Sequence, residues 1–174
     1  MRMTKDEACT QMQIEANNNK TNKTKIMRTS KRGIDMIKKY EGLRLKAYQC
    51  PAGVWTIGYG HTNGVNKGDV TNEIGATEML KEDLAWAERA VSATGADLNQ
   101  NQFDALVSLT FNIGSGNFKK NWHDLIKADP NDGRLYDKFM KYVNARDPKT
   151  GQMVQLPGLV RRRKEEADLY FEPV

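Results

Sequence analysis

Two short strand-like runs, Leu45–Cys50 and Val54–His61, flank a Pro51-Ala52-Gly53 turn, and from Thr71 onward the pattern turns helical. A small early sheet followed by a larger helical remainder makes the fold class α+β. Upstream of the strands, Ser30 fits the N-cap of a helix. Its Ile34, Ile37 and Glu41 recur at i, i+3 and i+7, and Gly42 is a natural stop. Downstream, Leu80, Leu84, Ala87 and Val91 stripe a long helix ending near Gly95, and a second runs from about Asn99 to Ile113, with Gly114 and Gly116 past its end. Three more are expected over Trp122–Ala128, Arg134–Ala145 and Pro157–Phe171, the last opened by a first-turn proline.

At 174 residues the chain holds one domain or two tightly joined lobes. The formal charge of +5 is uneven. Residues 1–32 carry eight basic and three acidic side chains, so residues 33–174 balance at 19 of each. The expected division is a basic polar N-terminal arm over 1–29 and a folded domain over 30–174. Thr4 and Glu7 are spaced as a capping box for a short helix through Ala16, and Asn17-Asn18-Asn19 opens a linker. Such an arm is either a solvated tail or a segment drawn to polyanions such as an anionic cell surface. A neutral body speaks against a nucleic-acid binder. No run approaches the roughly 18 apolar residues of a membrane span, and the N-terminus lacks the apolar centre of a secretory signal, so self-export is not expected. Cys9, Cys50, His61 and His123 fit no common zinc spacing; neither metal nor cofactor is expected.

Chemistry concentrates between Tyr40 and His61. A carboxyl at Glu41, on the face of Ile34 and Ile37, would be partly desolvated, which favours the protonated form a general acid needs. The alternative is an ordinary helix-terminal glutamate. On the returning strand, alternation puts Val54, Thr56, Gly58 and Gly60 on one face and Trp55, Ile57, Tyr59 and His61 on the other. The Thr56 face is either bare enough for a ligand to approach the backbone, or its glycines belong to a turn.

Glu41, Cys50, Thr56 and the Ile57-Gly58-Tyr59-Gly60-His61 run resemble the catalytic signature of the phage-type lysozymes, glycoside hydrolase family twenty-four. The likeness continues through Leu98–Leu106, Phe111-Asn112-Ile113-Gly114, Leu156-Pro157-Gly158-Leu159 and Arg161-Arg162-Arg163, covering about residues 30–171. It implies a lysozyme-like fold: a small N-terminal lobe with the hairpin, a long connecting helix and a larger helical C-terminal lobe. It implies an endolysin that cuts the β-1,4 bond between N-acetylmuramic acid and N-acetylglucosamine in peptidoglycan, as a monomer, by inversion.

By that resemblance Glu41 is the acid, Cys50 stands where most members have aspartate, and Thr56 helps to hold the attacking water. Phe111 lines the cleft, and Thr62 and Asn121 fall near glycan-contacting positions. Water positioning is the favoured role for Cys50, direct attack by its thiolate the alternative, and a Cys9–Cys50 bridge stays open. His61 pairs with Asp83 for stability. One of Arg161, Arg162 and Arg163 reaches back to Glu41, while the rest of that run, with Glu165 and Glu166, forms a solvated face. A lytic transglycosylase would need no water-holding pair. The resemblance further implies accumulation in the host cytoplasm until a partner holin opens the way to the wall.

Overall fold

The computed structural model describes residues 26–147 and 149–174. The Thr4–Ala16 helix, the Asn17 linker and Cys9 lie outside the described residues. Among those described, seven helices and two separate two-stranded sheets form an α+β fold. No described helix is long and apolar enough to cross a membrane.

The chain is docked from Arg28 onward, two residues before Ser30. Thr29 donates its backbone N–H (2.8 Å) and its hydroxyl (2.9 Å) to the buried Glu88 carboxylate, and Arg28 Nη1 adds a third contact at 2.8 Å. Ser30 accepts from Gly33 N at 3.3 Å to cap α1 (Lys31–Glu41), and its own N–H and hydroxyl donate to Asp104. Gly33 is required by close approach: a Cβ there would lie 2.7 Å from both Asp104 Cγ and Thr29 Cγ2.

Strands β1 (Arg44–Gln49) and β2 (Trp55–Gly58) pair antiparallel with Tyr48 opposite Thr56 and Gln49 opposite Trp55. Residues 69–71 cover the free edge of β1 through Ala47 N to Asp69 O and Thr71 N to Leu45 O, both 2.9 Å. The expected strand to His61 stops early. Gly58 and Gly60 have φ of +65° and +105°, and His61 N bonds back to Ile57 O at 2.9 Å, so these are turn glycines. The Thr56 side is not bare either. Thr56 is 4% exposed, and Gly58 sits so close to the next helix that a Cβ would be 3.2 Å from Ala76 Cβ.

Helix α2 (Glu73–Ser92), capped by Asn72, buries Leu80, Leu84, Ala87 and Val91 as expected. Its 20 residues span about 30 Å. Helix α3 (Gln100–Ile113) opens with a reciprocal Asn99–Gln102 capping box and is buried continuously from Gln102 to Thr110, making it the centre of the helical lobe. Helices α4 (Ser115–Asn121) and α5 (His123–Ala128) follow; the sequence pattern predicts only the second, with Gly114 and Gly116 just past the end of α3. Trp122, between them, packs edge-on to Phe139 at 4.8 Å.

The helix expected over Arg134–Ala145 ends sooner. Helix α6 is Arg134–Phe139, and β3 (Asn144–Arg146) pairs with β4 (Met153–Gln155). Leu135, Phe139 and Val143 are all buried at helical spacing, so the apolar pattern alone carries a helix too far. The hairpin prevails because its turn supplies its own bonds: the Asp147 carboxylate accepts from Lys149 N at 2.7 Å and Asp147 O accepts from Gly151 N at 2.8 Å. Helix α7 (Pro157–Phe171) then packs along α3.

Candidate active site

Glu41 is the last residue of α1, where Gly42 turns the chain into β1. Its carboxylate accepts from Arg162 Nη1 at 2.8 Å, which identifies the basic residue that reaches back. Arg162 is 4% exposed and fixed on every side. Nε donates to Glu166 Oε1 at 3.1 Å, Nη2 donates to Ser108 O at 3.3 Å, and the guanidinium lies 5.4 Å from the Tyr40 ring centroid. Glu41 itself is exposed, unlike Ile34 and Ile37, so the expected desolvation gives way to a cation held against its carboxylate.

The solvated face expected beside Arg162 is overturned. Arg161 and Lys164 are exposed, but Arg163 and Glu166 are fully buried. Glu166 Oε1 receives Ser108 Oγ at 2.6 Å, Arg162 Nε and Arg163 Nη2, the last two at 3.1 Å. Glu166 Oε2 stands 2.8 Å from Arg163 Nε, and Asn112 Oδ1 accepts from Arg163 Nη2 at 3.0 Å. Opposite charges offset the burial here, although Arg163 Nε and Nη1 and Glu166 Oε2 make no hydrogen bond among the described residues. The signal was present: Leu159, Arg163, Glu166 and Tyr170 recur at helical spacing, on a stripe ending in a core tyrosine.

Cys50 and Thr56 come together at the open end of the hairpin, where Cys50 N donates to Val54 O at 3.0 Å and Gly53 N to Cys50 O at 2.8 Å. Backbone N–H groups of Val54 and Ala52 hold the half-buried Cys50 thiol below its usual range. The Thr56 hydroxyl has one proton, and in this geometry it goes to Val54 O at 3.1 Å. No direct hydrogen bond among the described residues joins Glu41 to Cys50 or Thr56.

The remaining candidates are less engaged. Phe111 is half-buried and stacked on Trp86, centroids 5.9 Å apart. Asn121 Nδ2 donates within its own helix to Asn117 O at 3.1 Å, and Thr62 is exposed. His61 Nδ1 lies 3.0 Å from each Asp83 carboxylate oxygen, tying the hairpin turn to α2, and Nε2 meets Asn63 O at 3.0 Å. A concavity of about 940 Å³ lies between α1 and α7, floored by Met36, Tyr40 and Leu169, and contains none of Glu41, Cys50 and Thr56. A buried guanidinium fixed on Glu41, not cavity size, marks the site.

Residues 38–166 match the family model described as phage lysozyme. An endolysin of Acyrthosiphon pisum secondary endosymbiont phage 1 is 43% identical over 152 residues, covering 83% of this chain and 98% of that protein. The muramidase domain of SpmX from Asticaccaulis excentricus superposes with a TM-score of 0.74 at 37% identity, covering 84% of this chain and 99% of that one. A crystal structure of a P22 lysozyme mutant gives a TM-score of 0.72 at 36% identity, with the same coverage of both chains.

Proposed function

The chain belongs to the phage lysozyme family, and from that premise we propose that it hydrolyses the β-1,4 bond between N-acetylmuramic acid and N-acetylglucosamine with Glu41 as the acid. The observation that carries this reading is the single carboxylate at the end of α1, fixed by a buried guanidinium, with the Cys50–Thr56 hairpin following at once in the chain.

The protonated Glu41 gives its proton to the leaving glycosidic oxygen as the anomeric carbon–oxygen bond breaks. A water on the opposite face of the sugar forms the new bond. It needs two acceptors to aim a lone pair at the anomeric carbon. The Cys50 sulfur is one, and takes the water proton as thiolate. Thr56 Oγ1, whose own proton is committed to Val54 O, is the other. Inversion requires room for that water, about 6.5–9.5 Å between acid and base. Phe111, Thr62 and Asn121 remain the candidate glycan contacts.

The partner is thus the glycan strand of peptidoglycan, met by a monomer without nucleic acid. The basic arm adds an electrostatic contact with anionic cell surface, and a holin gives access from the host cytoplasm to the wall. The test is digestion of purified peptidoglycan by wild type and Glu41→Gln. Muramic reducing ends, released first as the inverted α anomer, support the reading. Glucosamine ends or peptide fragments refute the muramidase assignment, and a retained β anomer assigns Cys50 to direct attack.

A further inference from the structure

We propose that Glu166 is a positioning residue for the reaction: the buried carboxylate that orients Arg162 and shares its charge, and so sets how strongly Arg162 holds the Glu41 carboxylate. The proposal rests on Glu41 being the acid.

Orientation comes first. A guanidinium is planar with five N–H donors, so fixing two edges fixes the third. Glu166 takes the Nε edge of Arg162, Ser108 O takes Nη2, and Nη1 is left directed at Glu41 Oε1. With Glu166 removed, Glu41 is the only carboxylate left holding that plane, and the Nε edge has no partner to fix it.

Charge sharing follows from the count. Arg162 and Arg163 bring two positive charges into a region where Arg162 is 4% exposed and Arg163 and Glu166 not at all. The titratable groups facing the Arg162 guanidinium are Glu41 and Tyr40 from α1 and Arg163 and Glu166 from α7. Helix α3 contributes the neutral Ser108 and Asn112. Glu165 stands one step outward, bound to Lys39 and to the Tyr40 hydroxyl. Two carboxylates therefore answer two guanidiniums, and one of them, Glu41, must become a neutral acid for the reaction.

Burial pushes the Glu166 carboxyl up from its ordinary range. Its Oε1, however, accepts three donors and its Oε2 lies 2.8 Å from the Arg163 Nε cation, a setting that favours the ionised form. It then supplies the permanent counter-charge. Without it, both guanidiniums would act on Glu41 alone, and the acid would lose its proton at lower pH.

The test is a ¹³C-carboxyl NMR titration of the full chain, with the Glu41 signal assigned by its absence in Glu41→Gln. In Glu166→Gln the Glu41 midpoint should fall by about one pH unit, and turnover on peptidoglycan at neutral pH should fall about tenfold with KM little changed. Asn112→Asp adds a carboxylate beside Arg163 at an exposed position, and should move the midpoint up by a few tenths of a unit. In the Glu166→Gln background the same change should restore part of the fall. A Glu41 midpoint unmoved in folded Glu166→Gln overturns the proposal. Should that variant fail to fold, Asn112→Asp decides, with no shift or a downward one counting against. Glu41→Gln that still lyses cells refutes the acid assignment itself, independently of where the midpoint lies.

Discussion

Replacing Thr29 by valine isolates one of the contacts that anchor the start of the domain. Valine keeps the Cγ2 methyl that packs against Gly33 and removes only the hydroxyl, which donates to Glu88 at 2.9 Å. Thr29 is 9% exposed and Glu88 6%, so water replaces that bond poorly. A hydrogen bond to a charged group is worth about 1.5–3 kcal/mol, and the Thr29 N–H and Arg28 contacts remain to limit the loss. A cost of about 2 kcal/mol corresponds to a drop of about 4–8 °C in Tm for a domain of this size.

The sign with pH is also fixed. The Thr29 and Arg28 donors outweigh burial and hold the Glu88 carboxyl below its ordinary range. A depressed carboxylate stabilises the fold above the unfolded value, about pH 4.3, and loses that contribution as pH falls through the folded value. The gap between wild type and Thr29→Val should therefore be full at pH 7 and close below about pH 4. Thermal melts by circular dichroism at several pH values measure both. Truncation of residues 1–25 keeps every contact described and should melt with wild type. Thr29→Val melting within about 1 °C of wild type at neutral pH would refute the buried-bond argument and return the domain boundary to Ser30.

Iodoacetamide should abolish turnover of wild type and of Cys9→Ser, while Cys50→Asp stays active and indifferent; full activity with Cys50 demonstrably alkylated would remove it from the mechanism. Gly58→Ala should lower stability by about 1–3 kcal/mol in denaturant melts, because it combines a φ of +65° with a Cβ 3.2 Å from Ala76 Cβ. Equal stability would mean that the β2 turn relaxes freely. Phe111→Ala should raise KM on glycan strands if the ring touches sugar, whereas a lower Tm with KM unchanged would leave it as the stacking partner of Trp86.

What the sequence made legible was local. The α1 cap at Ser30, the Asn99 start of α3 and the α2 stripe could be read because each depends on neighbours within a turn or two. Glu41, Cys50 and Thr56 were singled out by resemblance to the family signature, within one short stretch that the structure folds as helix, stop and hairpin. Failures came where a distant partner or a competing turn decided. The Leu135–Phe139–Val143 periodicity continues as sheet because Asp147 and Gly151 close a hairpin beyond it. Arg28 and Thr29 look like the tail of a basic arm until Glu88, 59 residues on from Thr29, claims them.

Glu166 failed for a further reason, because charge in a helical stripe is ordinarily read as solvent-facing. Buried ion clusters are weak evidence for stability, since well-packed apolar replacements of similar volume are often neutral or stabilising. Ser108, Arg163 and Glu166 are as buried as the core residues Leu106, Leu109 and Tyr170. Stability alone does not explain two guanidiniums and a carboxylate in that place. Geometry offers a reason: the cluster ends on Glu41, the carboxyl proposed as the acid. A triple replacement of Ser108, Arg163 and Glu166 by apolar residues should therefore match or exceed wild type in Tm while its turnover falls at neutral pH. A triple variant that is both stable and fully active would show that Arg162 needs no buried support to hold Glu41.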